Sequence, residues 1–213
     1  MNKSEQIVKT EEFVKANMKG YDSGHDWWHI VRVRNLARFI NEMEALADPF
    51  AVEITTLLHD TADSKFAGDS DKAYLFMSEF MDENGLSTIR DQVMNVIKNI
   101  SFSSKSTRVL DDPLFYVVQD ADRLDAIGAI GVARAFNYGG FRNNKIYDPE
   151  IISQIGSVHG TSSTISHFYE KLLLLKYRMN TLTGKKLAAE RHEFLEVFLK
   201  EFYKEWEFNN KSL

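Results

Sequence analysis

Hydrophobic residues recur along most of the chain at intervals of three and four, the spacing that places them on one face of an α-helix. No segment shows the convincing apolar-polar alternation of a half-buried strand, and there is no repeat or low-complexity tract. The pattern predicts an all-α protein with helices at residues 3–18, 29–40, 49–60, 70–83, 87–100, 113–132, 165–179 and 185–206.

Capping residues predict where two of these helices begin. Asp48-Pro49 and Asp112-Pro113 each combine an aspartate at the N-cap with a proline at the first helical position. We expect the second pair to open one long helix, because the apolar face that follows it continues past Gly128.

Further expectations concern faces and loops. The helix at 3–18 includes Val8 in its rough amphipathic pattern, and the helix at 70–83 turns Phe76 inward. The apolar face of residues 165–179 predicts one continuous helix. Residues 137–145 are the most loop-like stretch of the chain and suit a mobile cover over a site.

Composition narrows the class of protein. The chain has 213 residues, 44% of them hydrophobic, and no linker divides it, so one domain with a sizeable core is expected. A net charge of −5 argues against a general binder of nucleic acid polymers or anionic membranes. The absence of cysteine excludes disulfides and cysteine-ligated zinc. No apolar run approaches ~18 residues and no signal peptide opens the chain, so a soluble cytoplasmic protein is expected.

The first candidate for chemistry is the adjacent pair His59-Asp60, where an apolar helix ends. An imidazole nitrogen and a carboxylate oxygen side by side can enter the coordination sphere of one divalent metal. His29 ends an inward-facing stripe, and taken alone it is better explained as a satisfied core histidine. His25 shares a face with His29 only if the helix is continuous there; the alternative is a capping or supporting role.

The second candidate is a helix with three carboxylates, Asp120, Asp122 and Asp125. Asp122 and Asp125 lie on one side of its apolar face and Asp120 on the opposite flank. Because acids avoid burial unless they are paired or metal-bound, this helix is expected to supply a ligand. Periodicity does not choose among the three.

Charged groups that could meet a substrate are less specific. Asp63 shares a face with Asp60 if the last helical turn persists, and Lys65 follows in a loop that either holds a cation near an anion or is solvated. His167 and Lys171 lie along one side of a predicted helix, where they either bind phosphates or form a solvated face.

His29, the His59-Asp60 pair and the acidic helix together resemble the H…HD…D signature of the HD superfamily of metal-dependent phosphohydrolases. The segments 25–29, 57–66, 119–134 and 167–171 resemble, more specifically, the small bacterial HD hydrolases of the YpgQ type. This resemblance implies a single HD domain over residues 1–213, built as a helical bundle. The metal site is expected between central helices at roughly 20–136, with packing helices at 150–208.

By the same resemblance the implied metal ligands are His29, His59, Asp60 and Asp122. Asp122 is preferred because the segment 121–124 is similar to the Ala-Asp-Arg-Leu pattern of the related guanosine-tetraphosphate hydrolases, in which that aspartate binds metal. Asp63 matches the first acid of their His-Asp-x-x-Glu-Asp motif, and we expect it to orient or deprotonate the attacking water. Ser64 stands in place of the second acid, so a shared substrate is not implied.

The implied ligands suit Mn²⁺, with Fe²⁺, Ni²⁺, Co²⁺, Zn²⁺ or Mg²⁺ as alternatives. The residues expected to balance the charge of a nucleotide substrate are Lys65, Arg123, His25, Lys171 and His167. The implied function is pyrophosphohydrolysis of (deoxy)nucleoside triphosphates by a metal-activated water. The alternatives are a nucleoside monophosphate phosphatase, a cyclic-nucleotide phosphodiesterase, or a module that binds metal and nucleotide without turnover. Assembly into a homo-oligomer stays open.

Overall fold

The computed structural model describes residues 1–18, 26–61, 70–100, 110–150 and 163–208. These ranges contain α-helices and a 3₁₀ helix but no β-strand, and one isolated bridge joins Lys145 to Ser163. The all-α prediction is therefore confirmed. The chain divides into two compact units, Met1–Asp122 and Arg123–Leu213, and the expectation of one domain stays a prediction. No helix within the described ranges is both long enough and apolar enough to cross a membrane.

The first unit is arranged around one central helix. Its helices are α1 (Lys3–Asn17), α2 (Trp27–Glu44), α3 (Pro49–Leu58), α4 (Ser70–Glu83), α5 (Ser87–Ile100) and α6 (Pro113–Asp125), the last turn of which belongs to the second unit. Helix α3 packs against α1, α2 and α5, and α4 packs against α5. As predicted, Asp48 caps α3 and Pro49 occupies its first turn.

Every residue of α3 from Ala51 to Leu58 is buried. A helix that is buried all round lies in the interior of a protein and is held there by hydrophobic contact. Ile54, Leu57 and Leu58 are fully buried, and each such side chain contributes roughly 1.5–3 kcal/mol. The position of the residues that follow Leu58 is therefore fixed by the core of the first unit.

One residue that was predicted to face inward points to solvent instead. Phe76 of α4 is 52% exposed, so its predicted burial is wrong. In α1, where Val8 is exposed, the buried face carries the polar Gln6, whose side-chain amide donates to the carbonyl oxygens of Asn84 at 3.1 Å and Gly85 at 2.9 Å. This amide satisfies the backbone after α4, which accounts for a polar residue on the buried face of α1.

The second unit contains α7 (Gly128–Phe141), α8 (Thr164–Glu170), a 3₁₀ helix (Leu172–Arg178) and α9 (Leu182–Glu207). Helix α9 packs against α7 and the 3₁₀ helix, and α8 packs against the same two elements. The predicted last helix is confirmed, and it begins earlier than expected because the Thr181 hydroxyl caps it, accepting from the backbone of Gly184 at 2.9 Å.

The single long helix predicted from Pro113 is wrong, because the chain breaks between α6 and α7. Gly128 has a φ of 76°, a left-handed conformation that interrupts a right-handed helix at little cost only for glycine. Arg191 of α9 donates to the carbonyl oxygen of Leu124 at 2.6 Å and so satisfies a carbonyl at the C-terminal end of α6. A side chain at Gly128 would also meet Arg191 Cγ at 3.0 Å.

The predicted loop at 137–145 is wrong over its first half. Helix α7 continues to Phe141, although it contains Gly139 and Gly140. The reason is packing: a Cβ on Gly139 would lie 2.1 Å from the hydroxyl oxygen of Thr164, at the start of α8. This glycine therefore marks a close approach of two helices and not a flexible cover.

The continuous helix predicted at 165–179 is also wrong. It breaks at Lys171, whose φ of −135° and ψ of −56° are not helical, and continues as the 3₁₀ helix. The break allows Leu172, Leu173 and Leu175 all to be buried. Burial of consecutive leucines thus overrides the regular apolar stripe.

Candidate metal centre

A histidine occupies the first turn of α2. The carboxylate of Asp26 caps this helix by accepting a hydrogen bond from the backbone N–H of His29 at 2.8 Å. The His29 side chain is fully buried, and its Nε2 faces the residues that follow α3. A capped helix start therefore holds this imidazole in place.

The end of α3 orients a second imidazole. Nδ1 of His59 lies 2.7 Å from the carbonyl oxygen of Thr56, one turn earlier. Because a carbonyl can only accept, the ring proton is on Nδ1 and the Nε2 lone pair is free to bind a cation. A hydrogen bond of this kind fixes the orientation of histidines that bind metals.

Helix α6 supplies one carboxylate to the same place. Asp122 joins His29 and His59 in a group whose ligand atoms all lie within 4.8 Å of one another. Asp120 and Asp125 are both buried. Within the second unit, Asp125 accepts a hydrogen bond from Arg134 at 2.8 Å. The choice of Asp122 that the family resemblance implied thus agrees with the geometry.

The donor atoms are mutually close. Nε2 of His29 is 3.3 Å from Nε2 of His59, 3.2 Å from Oδ2 of Asp60 and 3.6 Å from Oδ1 of Asp122. Nε2 of His59 is 3.5 Å from Oδ1 of Asp60 and 3.9 Å from Oδ1 of Asp122. The structure brings together all four residues that were predicted as ligands.

These distances fit the edges of a coordination polyhedron. With metal–ligand distances of ~2.1 Å, neighbouring donors lie roughly 3.0 Å apart in an octahedral site and roughly 3.4 Å apart in a tetrahedral one. The Nε2 atoms of the two buried imidazoles lie 3.3 Å apart beside two carboxylates, so nitrogen and oxygen donors are concentrated at one point. The residues present therefore suit a divalent metal ion.

An ion-pair network centred on a buried glutamate joins α1, α2 and α3. Glu53 of α3 is 8% exposed, and its two carboxylate oxygens pair separately with the Nε atoms of Arg34 and Arg38 of α2. Arg34 also binds Glu11 of α1 at 2.7 Å. The sequence interpretation missed this network. Its signal was an acid within an apolar run, together with two arginines four residues apart on the preceding helix.

Other predicted site residues lie elsewhere or cannot be described. His25, Asp63 and Lys65 lie outside the described residues. Arg123 belongs to the second unit and donates to the carbonyl oxygen of Arg178. His167 and Lys171, also in the second unit, lie at the end of α8, where the backbone N–H of Lys171 donates to the His167 carbonyl at 3.0 Å. The roles of all these residues stay predictions.

The fold and the site together define a class of protein. Interior helices bring two histidines and two aspartates together in the chain order His, His-Asp, Asp, which is the arrangement of helical metal-dependent hydrolases of the HD type. No family model matches the chain.

Comparison with known proteins gives the particular family. The chain is 37% identical over 212 residues to the uncharacterized protein YpgQ of Bacillus subtilis, covering 96% of both chains. It is similar to the structure of an HD-superfamily hydrolase from Bacillus thuringiensis, with 38% identity, a TM-score of 0.78 and coverage of 98% of this chain and 100% of the other. A structure of YpgQ in complex with ADP matches with 35% identity and a TM-score of 0.70, covering 93% of this chain and 97% of that chain. The chain belongs to the HD superfamily of metal-dependent hydrolases, in the group that includes YpgQ.

Proposed function

We propose that this hydrolase acts on nucleotides, and that it removes pyrophosphate from (deoxy)nucleoside triphosphates. The observation that carries the proposal is the convergence of four ligand side chains, with Nε2 of His29 3.2 Å from Asp60 and 3.3 Å from His59. Support for a nucleotide substrate comes from the relative YpgQ, whose structure contains ADP.

In this proposal His29, His59, Asp60 and Asp122 hold one divalent ion, for which Mn²⁺ is favoured. Such an ion supplies a coordinated water of lowered pKa and polarises the phosphorus under attack. The Nδ1–H of His59 stays on the Thr56 carbonyl, so that the imidazole remains a neutral ligand.

In this proposal, proton transfer and the balancing of the substrate's negative charge are assigned to residues identified from the sequence. Asp63 orients the attacking water or accepts its proton, because it follows the ligands closely in the chain and is not needed to bind metal. Lys65 and Arg123, with His25, His167 and Lys171, are the cations proposed to balance the polyphosphate charge.

The test is a product analysis. Metal-free protein is reloaded with Mn²⁺ and given nucleoside tri-, di- and monophosphates and cyclic nucleotides, and the products are identified by phosphorus NMR. Pyrophosphate released from triphosphates is the expected result. Tripolyphosphate would identify a triphosphohydrolase, phosphate from monophosphates a nucleotidase, and opening of the cyclic ester a phosphodiesterase.

A matched metal series completes this test. The same substrates are offered with Mg²⁺, Co²⁺, Ni²⁺, Fe²⁺ and Zn²⁺, and nucleotide binding is measured in parallel by calorimetry. Nucleotide binding without turnover under every metal would show that the chain is a binding module and would overturn the proposed activity.

A further inference from the structure

A cavity lies in the first unit, between the end of α2 and the start of α3. Its volume is about 350 Å³, within the range of roughly 300–1,000 Å³ that is typical of small-molecule sites. Arg38 lines this cavity. It lies about 14 Å from His29 along the axis of α2, at a rise of ~1.5 Å per residue. The lining is mostly apolar, with Ala45, Ala47, Pro49 and Val52, and it also includes the polar residues Asn41, Glu42 and Glu53.

The backbone around this cavity is held in place. The side-chain amide of Asn41 donates to the carbonyl oxygen of Ala47 at 2.9 Å and accepts from the backbone N–H groups of Leu46 at 3.1 Å and Ala47 at 2.9 Å. Ala45 closes α2 in a left-handed conformation with a φ of 50°. The turn between the two helices is therefore fixed before any ligand binds, which lowers the entropic cost of binding.

One wall of the cavity carries a guanidinium group with unused donors. Arg38 pairs through Nε with the buried carboxylate of Glu53, and its terminal amino groups have no partner among the residues that the structure describes. Glu53 is shared with Arg34, so its carboxylate is already saturated by two cations. The two terminal amino groups of Arg38 form a planar edge, and their spacing matches that of the two oxygens of a carboxylate.

A second charge limits what that guanidinium can bind. Glu42 also lines the cavity, is exposed, and has no partner within the described ranges. Its negative charge repels a ligand with two negative charges more strongly than a ligand with one. The cavity therefore disfavours phosphates and nucleotides.

We propose that this cavity is a binding site for a small organic monocarboxylate with an apolar body. The carboxylate pairs with the terminal amino groups of Arg38, and the apolar body packs against Val52 and the alanine and proline walls. Glu42 excludes dianions. The site is separate from the metal centre, and the proposal does not depend on the proposed nucleotide hydrolysis.

The test uses isocaproate as the probe and isopentyl phosphate as its dianionic counterpart with a similar body. Each is titrated at millimolar concentration into the full chain, and binding is followed by amide-resolved NMR. Isocaproate is expected to shift the resonances of Ala45, Ala47 and Val52, and acetate, which lacks the apolar body, is expected to bind at least about tenfold more weakly. Shifts confined to residues around His29 and His59, or no shifts, would overturn the proposal.

Three variants connect binding to the named side chains. Arg38→Gln is expected to weaken isocaproate binding at least about tenfold, and the fold is retained because Arg34 still pairs with Glu53. Ala47→Leu fills the cavity without removing a charge and is expected to abolish binding. Glu42→Gln is expected to keep isocaproate binding and to raise the affinity for isopentyl phosphate. Unchanged isocaproate binding by Arg38→Gln or by Ala47→Leu would contradict the site.

Discussion

The two units of the chain stabilise their helices by different means. In the first unit the interior contains charged and titratable groups, and each is paired: His29 and His59 face carboxylates, and Glu53 binds two arginines. In the second unit aromatic rings form much of the interior, beside the ion pair of the buried Asp125 with Arg134. Phe198 lies 5.6 Å from Phe168 and 6.0 Å from Phe136 between ring centroids.

The buried charged groups of the first unit are suited to chemistry, whereas the aromatic rings of the second unit serve packing. Burial of polar groups lowers stability unless they are paired. A unit that retains several of them is therefore less stable than one with an apolar interior, unless each is held by its partners. An aromatic interior has no such requirement and depends on shape. We therefore expect the stability of the first unit to depend on bound metal and on charge substitutions. The stability of the second unit should depend on side-chain volume and on the titration of its buried histidine.

The largest expected effect is at the metal ligands. His59→Ala and Asp122→Ala each remove a donor from the cluster and are expected to weaken metal binding by roughly 100-fold or more, whereas Asp63→Ala is expected to keep metal and lower turnover by roughly 10²–10⁴-fold. Metal content after gel filtration, calorimetric titration with Mn²⁺ and product release measure these effects.

The control for the ligand variants is Asp111→Ala, near the start of α6, which removes a carboxylate that accepts a hydrogen bond from the Tyr116 hydroxyl at 2.9 Å. It should keep normal metal content. If Asp122→Ala retained its metal while Asp120→Ala lost it, the assigned ligand on α6 would be wrong.

The next effect concerns the charges that join α1, α2 and α3. Glu53→Gln leaves Arg34 and Arg38 without their buried counter-charge and is expected to lower the free energy of unfolding by about 3 kcal/mol. Urea unfolding measures the loss, and amide hydrogen exchange should localise it to the first unit. The exposed Glu42→Gln is the matched control and should change stability by less than about 0.5 kcal/mol. Equal stability of both variants would show that the network contributes nothing.

A smaller effect tests packing in the second unit with two adjacent glycines. Gly139→Ala places a methyl group 2.1 Å from the Thr164 hydroxyl and is expected to cost about 1–3 kcal/mol. Gly140 has nothing within 4 Å of an added Cβ, so Gly140→Ala should stabilise α7 by about 0.4–1 kcal/mol. Thermal unfolding of both variants gives the comparison. A loss of stability in Gly140→Ala as large as that in Gly139→Ala would remove the argument for close packing.

The sequence predicted what depends on local pattern. The all-α class and the Asp-Pro helix starts were predictable, because caps and apolar periodicity act over a few residues. The convergence of His29 with His59-Asp60 was implied by the family resemblance, because periodicity alone assigned His29 to the core. The family resemblance, and not periodicity, singled out Asp122 among three acids of one helix. The break at Gly128 was not predictable, since it depends on Arg191, which is distant in sequence and reaches the end of α6. Gly139 was misassigned to a loop for the same reason, because its contact with Thr164 is a tertiary one.

The smallest expected effect is a pH dependence in the second unit. His192 is 5% exposed, its Nδ1 has no partner among the described residues, and its ring meets Tyr177 edge-on at 6.2 Å. Burial lowers the pKa of His192, and Lys176 lowers it further, whereas Glu196 and Glu193 raise it. Because the folded-state pKa lies below the unfolded value of ~6.5, the unfolded chain takes up a proton first as the pH falls. Stability is therefore full above ~6.5 and is lost as the pH falls from there toward the folded-state pKa, by at most ~1.4 kcal/mol per pH unit.

His192→Leu removes this titration. The free energy of unfolding of the variant, relative to that of the unsubstituted chain, should therefore rise as the pH is lowered from about 7.5 to 5.5. Urea unfolding at a series of pH values measures the difference between the two proteins, and contributions that both proteins share cancel in it. Lys176→Gln should reduce the pH dependence and Glu196→Gln should increase it, because these residues shift the pKa of His192 in opposite directions. Parallel stability curves for the unsubstituted chain and His192→Leu would mean that the second unit accommodates the imidazolium, and that burial of a titratable group is costly only in the first.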